Sequence, residues 1–155
     1  MDYRQRNRSS LDKSELLAVL RIGFTTSFSG GFLIASFTLV TTYQFDFQFY
    51  WIFFILLARY LASRIQDSYE EKHDLYPILS VFFWLLAFYL MFSTYYLGIL
   101  YASDLFVSEN IRFALDPVRH FRFLWPLQSG YFSVNNLLEV LLFVLNVVLA
   151  YRFAK

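Results

Sequence analysis

Four apolar runs separated by polar stretches lay out the chain. They cover roughly residues 17–42, 47–64, 77–102 and 134–151, close to the ~20 residues a helix needs to cross a hydrocarbon core. The first run carries a second pattern inside it. Gly23, Ser27, Gly31 and Ala35 recur every fourth residue, so four small side chains fall on one stripe of a helix. Glycine costs about 1 kcal/mol against alanine in a helix in water. In lipid, where the backbone must bond to itself, the same residues let another helix approach closely. The stripe is therefore expected to be a packing seam, either closing the chain's own bundle against the third or fourth span or docking a partner or a second copy. The hydroxyls that share this run, from Thr25 to Thr42, suit bonds to their own helix or to a neighbouring one.

The connections fix the order of the spans. Residues 1–16 are polar, and Asp12 with Glu15 has the spacing of a helix cap. The stretch Tyr43 to Gln48 is so short that the second span must be the antiparallel neighbour of the first. The second span carries Arg59, which can snorkel, and ends in a charged loop from Arg64 to Asp74. The third starts at Tyr76-Pro77, a proline position the first helical turn accepts, and gathers tyrosines towards its exit. Residues 103–133 form one long outer loop. Within it Asp116-Pro117 reads as a cap and first helical residue, and Trp125-Pro126 as a stop. That predicts a short interfacial helix with Val118, Phe121 and Trp125 on one face and Arg119, His120 and Arg122 as its polar members. Gln128-Ser129-Gly130 is a turn, and Ser133 or Asn135 caps the last span. There Asn135, Glu139 and Asn146 share a face, with Leu142 between the last two, so a polar stripe is expected to point into the bundle.

Composition sharpens this picture. Of 155 residues, 58% are hydrophobic and 23% aromatic, above the ~45–50% apolar content of ordinary soluble domains. Contact with lipid resolves the excess. The net charge of +1 gives no electrostatic ground for nucleic-acid binding. With no cysteine, disulfides, thiolate metal sites and thiol redox chemistry are excluded. Arg4, Arg6, Arg8, Lys13, Arg21, Arg59, Arg64, Lys72, Arg152 and Lys155 fall on one side of the four spans, and only Arg112, Arg119 and Arg122 on the other. This predicts both termini on the cytoplasmic side, or its organelle-matrix equivalent. The fold expected is one all-α membrane domain: four transmembrane helices in an up-down bundle plus the interfacial helix.

Candidate chemistry centres on Glu139. A carboxylate about 7–8 Å into the last span is costly unless paired, solvated or protonated. Arg112, Arg119, His120 and Arg122 lie on the same side of the membrane in this topology. Together with Asn135 and Asn146 they form either an outward polar niche, for an anion or for protons, or a structural ion pair pinning the loop. Glu70, Glu71, His73 and Asp74 are neighbours on a loop and do not converge as metal ligands do. His73 and His120 fall on opposite sides. No nucleophile elbow, phosphate loop or dinucleotide fingerprint is present. No catalytic set, metal or cofactor is therefore expected. The sequence favours a non-catalytic small subunit, scaffold or assembly factor of a larger membrane complex. Its partners would be the lipid bilayer and other membrane subunits, or a second copy. A small transporter or channel around Glu139 is the alternative, and an interfacial lipid-modifying enzyme using His120 a third.

Overall fold

The computed structural model describes residues 13–45, 50–69, 74–124 and 134–155. Among them the chain is 89% helical and has no strand. Four long helices, α1 (Lys13–Phe45), α2 (Tyr50–Gln66), α3 (Leu75–Ala102) and α6 (Val134–Phe153), carry the fold. Two short ones, α4 (Ser108–Ala114) and α5 (Pro117–His120), follow α3, with a 3-10 turn at Arg122–Leu124. Three of the long helices, α1, α3 and α6, are long and apolar enough to cross a membrane. The cap at Asp12, the charges at Glu70, Glu71 and His73, the stop at Trp125-Pro126 and the turn at Gln128-Ser129-Gly130 lie outside the described residues.

The local chemistry sets the ends. Glu15 occupies the first turn of α1, where the helix dipole favours an acid. Pro77 sits in the first turn of α3, where its missing N–H has no helical acceptor to leave empty. α3 ends where Asp104 adopts a positive φ of 55°, a conformation aspartate tolerates better than most residues. The chain then turns back, and the Asn110 amide bonds the Leu105 carbonyl at 2.9 Å. The expected interfacial helix is shorter than the sequence suggests. Asp116 does cap it, accepting from the Val118 N–H at 3.0 Å, but the α-helix stops after one turn and passes into the 3-10 turn. A second helix, α4, precedes it.

The long helices run up, down, up, down. The Tyr76 hydroxyl donates to Glu15 at 3.3 Å, which sets the starts of α1 and α3 side by side and makes the two helices parallel. Gln66 at the end of α2 donates to the Phe153 carbonyl at the end of α6 at 2.9 Å, joining the two descending helices at that same end. α1 packs chiefly on α3 and also on α2, and α6 packs on α2 and α3. Single side-chain donors reach backbone carbonyls of neighbouring helices: Ser27 to Phe83 at 2.8 Å, Trp84 to Phe54 at 3.2 Å, and Ser80 to Ala150 at 3.2 Å.

The small-residue stripe closes the bundle itself. Gly23, Ser27, Gly31 and Ala35 are all buried. A Cβ on Gly23 would meet the Phe83 ring, and one on Gly31 would meet the Ala87 carbonyl oxygen at 2.8 Å. Of the two expected neighbours, α3 is the one that receives the seam.

Beneath the seam the interior is aromatic. Phe54, Trp84 and Phe88 are fully buried and Phe143 nearly so. Their rings interlock, with centroids 5.4 Å apart for Phe54–Trp84, 5.5 Å for Trp84–Phe143 and 5.3 Å for Phe88–Phe143. Phe121 and Phe123 of the folded-back segment complete this cluster, 5.6 and 6.0 Å from Phe88. Residues 103–124 thus form a cap against α3 and α6.

Candidate functional site

Polar side chains gather at the end of the bundle where α2 and α6 begin. Tyr50, the first residue of α2, is 5% exposed, with its ring packed against Trp51 and Phe92. Its hydroxyl donates to Glu139 at 3.4 Å, so the half-buried carboxylate is held by a phenol. A bond this long is weak by geometry. The Tyr96 hydroxyl feels both the Glu139 carboxylate and the Arg119 guanidinium, which brings α2, α3, α5 and α6 to one place. The partner given to Glu139 is a residue the sequence did not single out.

The four basic candidates separate. Arg112 and Arg122 lie exposed on the cap. Arg119 is half-buried, with its guanidinium over the Phe113 ring and one nitrogen buried without a partner among the described residues. His120, expected on the polar face, is instead 4% exposed. The reason is the way α5 sits on α3: the face that carries His120 turns inward, and Val118, expected on the apolar face, is exposed. Its Nε2 lies 2.9 Å from the Ala114 carbonyl and 3.2 Å from the Ser93 hydroxyl. The ring stacks on Tyr96 at 5.6 Å and 9°, and on Phe92 at 5.9 Å and 21°. Burial pushes this imidazole below its ordinary value and nearby Arg119 works the same way, against the opposite pull of the Ala114 carbonyl and Asp116.

Asn146 does not join this group. It lies seven residues beyond Glu139, about 10 Å along the helix, and is fully buried. Its Nδ2 donates to the Leu142 carbonyl at 2.9 Å, and its Oδ1 has no partner among the described residues. The residue between Glu139 and Asn146 on the inner face is Phe143, not Leu142, which is only half-buried. Phe143 packs on Trp84 and Phe88 and divides the polar stripe into two separate points. The Asn135 side chain lies outside the described residues. Among the described residues no group of three or more His, Cys, Asp or Glu could hold a metal ion.

The arrangement can hold the cap and seat a carboxylate. Tyr50, Ser93 and Tyr96 were the members the sequence reading missed. Ser93 left the plainest signal, since Ser80, Ser93 and Thr94 are the only hydroxyls of serine or threonine in the apolar run 75–102. Compared with family models, with curated proteins and with solved structures, the chain matches none, so this geometry alone carries the functional argument.

Proposed function

We propose that the chain is a four-span membrane protein acting as a non-catalytic subunit or scaffold of a larger membrane assembly, with both termini on the cytoplasmic or matrix side. The observation that carries this is the filled interior. Phe54, Trp84, Phe88 and Phe143 interlock along the bundle axis, and Phe121 and Phe123 close one end. Such a core is built for rigidity rather than for passage or turnover. What it presents outward is apolar: Phe24, Phe28, Phe32 and Leu33 on α1, and Leu138 and Leu141 on α6, are all exposed. A groove of about 410 Å³, floored by Gly30 and flanked by Leu33, Phe53 and Tyr60, opens between α1 and α2. Lipid tails or partner helices satisfy such surfaces.

Three helices meet the length and hydropathy of a span, and α2 is the fourth in this proposal. Its 17 residues extend about 26 Å, just short of a ~30 Å hydrocarbon core. Its exposed Arg59 lies seven residues from its end, within snorkelling reach of the headgroups. Lys13, Arg21, Arg64, Arg152 and Lys155 share that end of the bundle, which supports the orientation by the positive-inside rule.

Solubilisation from native membranes in a lipid-preserving polymer, followed by mass spectrometry, tests the proposal. Other membrane chains should co-purify in fixed stoichiometry. A monodisperse, partner-free particle overturns it. The transporter reading, in which Glu139 and Asn146 line one path, is opposed by Phe143 between them. A flux in reconstituted vesicles that Glu139→Gln abolishes without loss of fold would restore it.

A further inference from the structure

The cap is fastened to the bundle through a group that titrates. Residues 103–124 touch α3 well below its last turn. The Tyr89 hydroxyl donates to the Leu115 carbonyl at 2.9 Å, and His120 reaches Ser93. The Ala114 carbonyl beside Nε2 can only accept, so the ring hydrogen sits on Nε2 and Nδ1 carries a lone pair. Nδ1 is buried and meets no partner among the described residues. The next residues of the same segment, Phe121 and Phe123, are those that close the aromatic core. Whatever holds the imidazole therefore holds the plug.

We propose that His120 is a pH-sensitive latch: neutral, it keeps the cap closed over the aromatic core, and protonated, it releases the cap. A proton on Nδ1 creates a buried N–H with nothing among the described residues to accept it, and a charge within the field of Arg119. The other groups facing the ring do not rescue it. Tyr89 and Tyr96 from α3 turn ring faces or edges to it, Ala114 from α4 offers a carbonyl already engaged by Nε2, and Asp116 on the cap itself is exposed. The Tyr96 and Phe92 faces attract a cation; burial is the largest influence on the imidazole and lowers it, with Arg119 acting in the same direction. The sign follows from linkage. In the open cap the imidazole titrates near its ordinary value of about 6.5, and in the closed cap lower, so the open form binds the extra proton. Closure is at full strength above about pH 6.5 and weakens as the pH falls towards the closed-state value.

Hydrogen–deuterium exchange on the full chain in lipid nanodiscs, at about pH 7.5 and about pH 5 and corrected for intrinsic rates, reads this directly. Protection of the amides of residues 108–124 should fall about tenfold for each pH unit by which closure lowers the imidazole, while α3 amides around Phe83–Phe88 stay protected. His120→Gln keeps a donor for the Ala114 carbonyl and cannot titrate, so its protection should be the same at both pH values. Should that variant fail to fold, His120→Phe keeps the ring stack and serves the same purpose. The latch is overturned if wild-type protection does not change, if a non-titrating variant loses it equally, or if the whole bundle loosens with the cap.

Discussion

A Cβ placed on Gly31 would stand 2.8 Å from the Ala87 carbonyl oxygen, so α1 and α3 meet backbone to backbone at that point. Gly30, one residue away, faces the tip of Leu57 instead, at 2.6 Å from Cδ1. A leucine tip can rotate aside and a helix carbonyl cannot. Gly31→Ala should therefore destabilise the bundle by about 1–3 kcal/mol, the usual cost of overpacking a tight contact. Gly30→Ala should be near neutral, because the alanine helix preference of up to about 1 kcal/mol offsets a small side-chain adjustment. Thermal unfolding of the two variants in the same detergent checks the contrast. Equal melting shifts would mean that the seam does not pack as described.

Glu139 and Tyr50 are joined by one long hydrogen bond. Deleting the phenol oxygen with Tyr50→Phe should cost about 1 kcal/mol, less than a well-formed bond to a charged group. A double-mutant cycle with Glu139→Gln should give a coupling of about 0.5–1 kcal/mol. Coupling near zero would mean that the carboxylate is held by something other than Tyr50. The cycle also bears on function. A structural Glu139 changes stability alone, whereas a transport residue changes flux at unchanged stability.

What could be read from the sequence follows the range of each signal. The four long helices and the seam were legible because they rest on periodicities within one helix, as in Gly23-Ser27-Gly31-Ala35. The sequence leaves open what fills the seam (the third span, the fourth, a partner or a second copy), since helix pairing depends on contacts far apart in sequence. Asp116-Pro117 correctly marks a helix start, yet the helix stops after one turn, and beyond it Phe121 and Phe123 pack into the aromatic core, a long-range contact that local spacing does not carry. The Tyr50–Glu139 contact is half legible. Glu139 stood out as a charge in an apolar run, while Tyr50 was one tyrosine among twelve and carried no mark of its role. A helical wheel puts His120 opposite Val118 but cannot say which of the two faces meets α3, and the structure buries His120 and exposes Val118.

Phe143 is the keystone of the aromatic cluster, with its ring against Trp84, Phe88, Phe121 and Phe123. Phe143→Ala should destabilise the fold by about 3–5 kcal/mol in a well-packed core. It should also loosen the cap, because two of the four ring contacts belong to cap residues. Phe143→Leu retains much of the volume and should cost less, about 1–2 kcal/mol. Denaturant titration followed by tryptophan fluorescence gives both values, with Trp84 as the buried reporter. An alanine variant as stable as the wild type would show that the cluster is loosely packed, and the rigid-scaffold proposal would lose its main support.

The absence of native cysteine makes the proposed four-span topology open to single-cysteine labelling without any background. Exposed sites at the two ends of the bundle are available: Lys13, Ser63 and Lys155 at one, Asp104 and Glu109 at the other. In sealed, right-side-out vesicles a membrane-impermeant maleimide should label Asp104→Cys and Glu109→Cys at once. Lys13→Cys, Ser63→Cys and Lys155→Cys should react only after the vesicles are opened. α2 decides the outcome, because Ser63 returns to the side of Lys13 only if α2 crosses. Immediate labelling of Ser63→Cys and Lys155→Cys, with Lys13→Cys and Asp104→Cys still protected, would mean that α2 does not span and that the chain has three crossings. Labelling of Lys13, Ser63 and Lys155 variants from outside, with Asp104 and Glu109 protected, would keep four crossings and invert the orientation. The distribution of arginine and lysine predicts neither of these, because the basic residues gather where α1 starts and α6 ends.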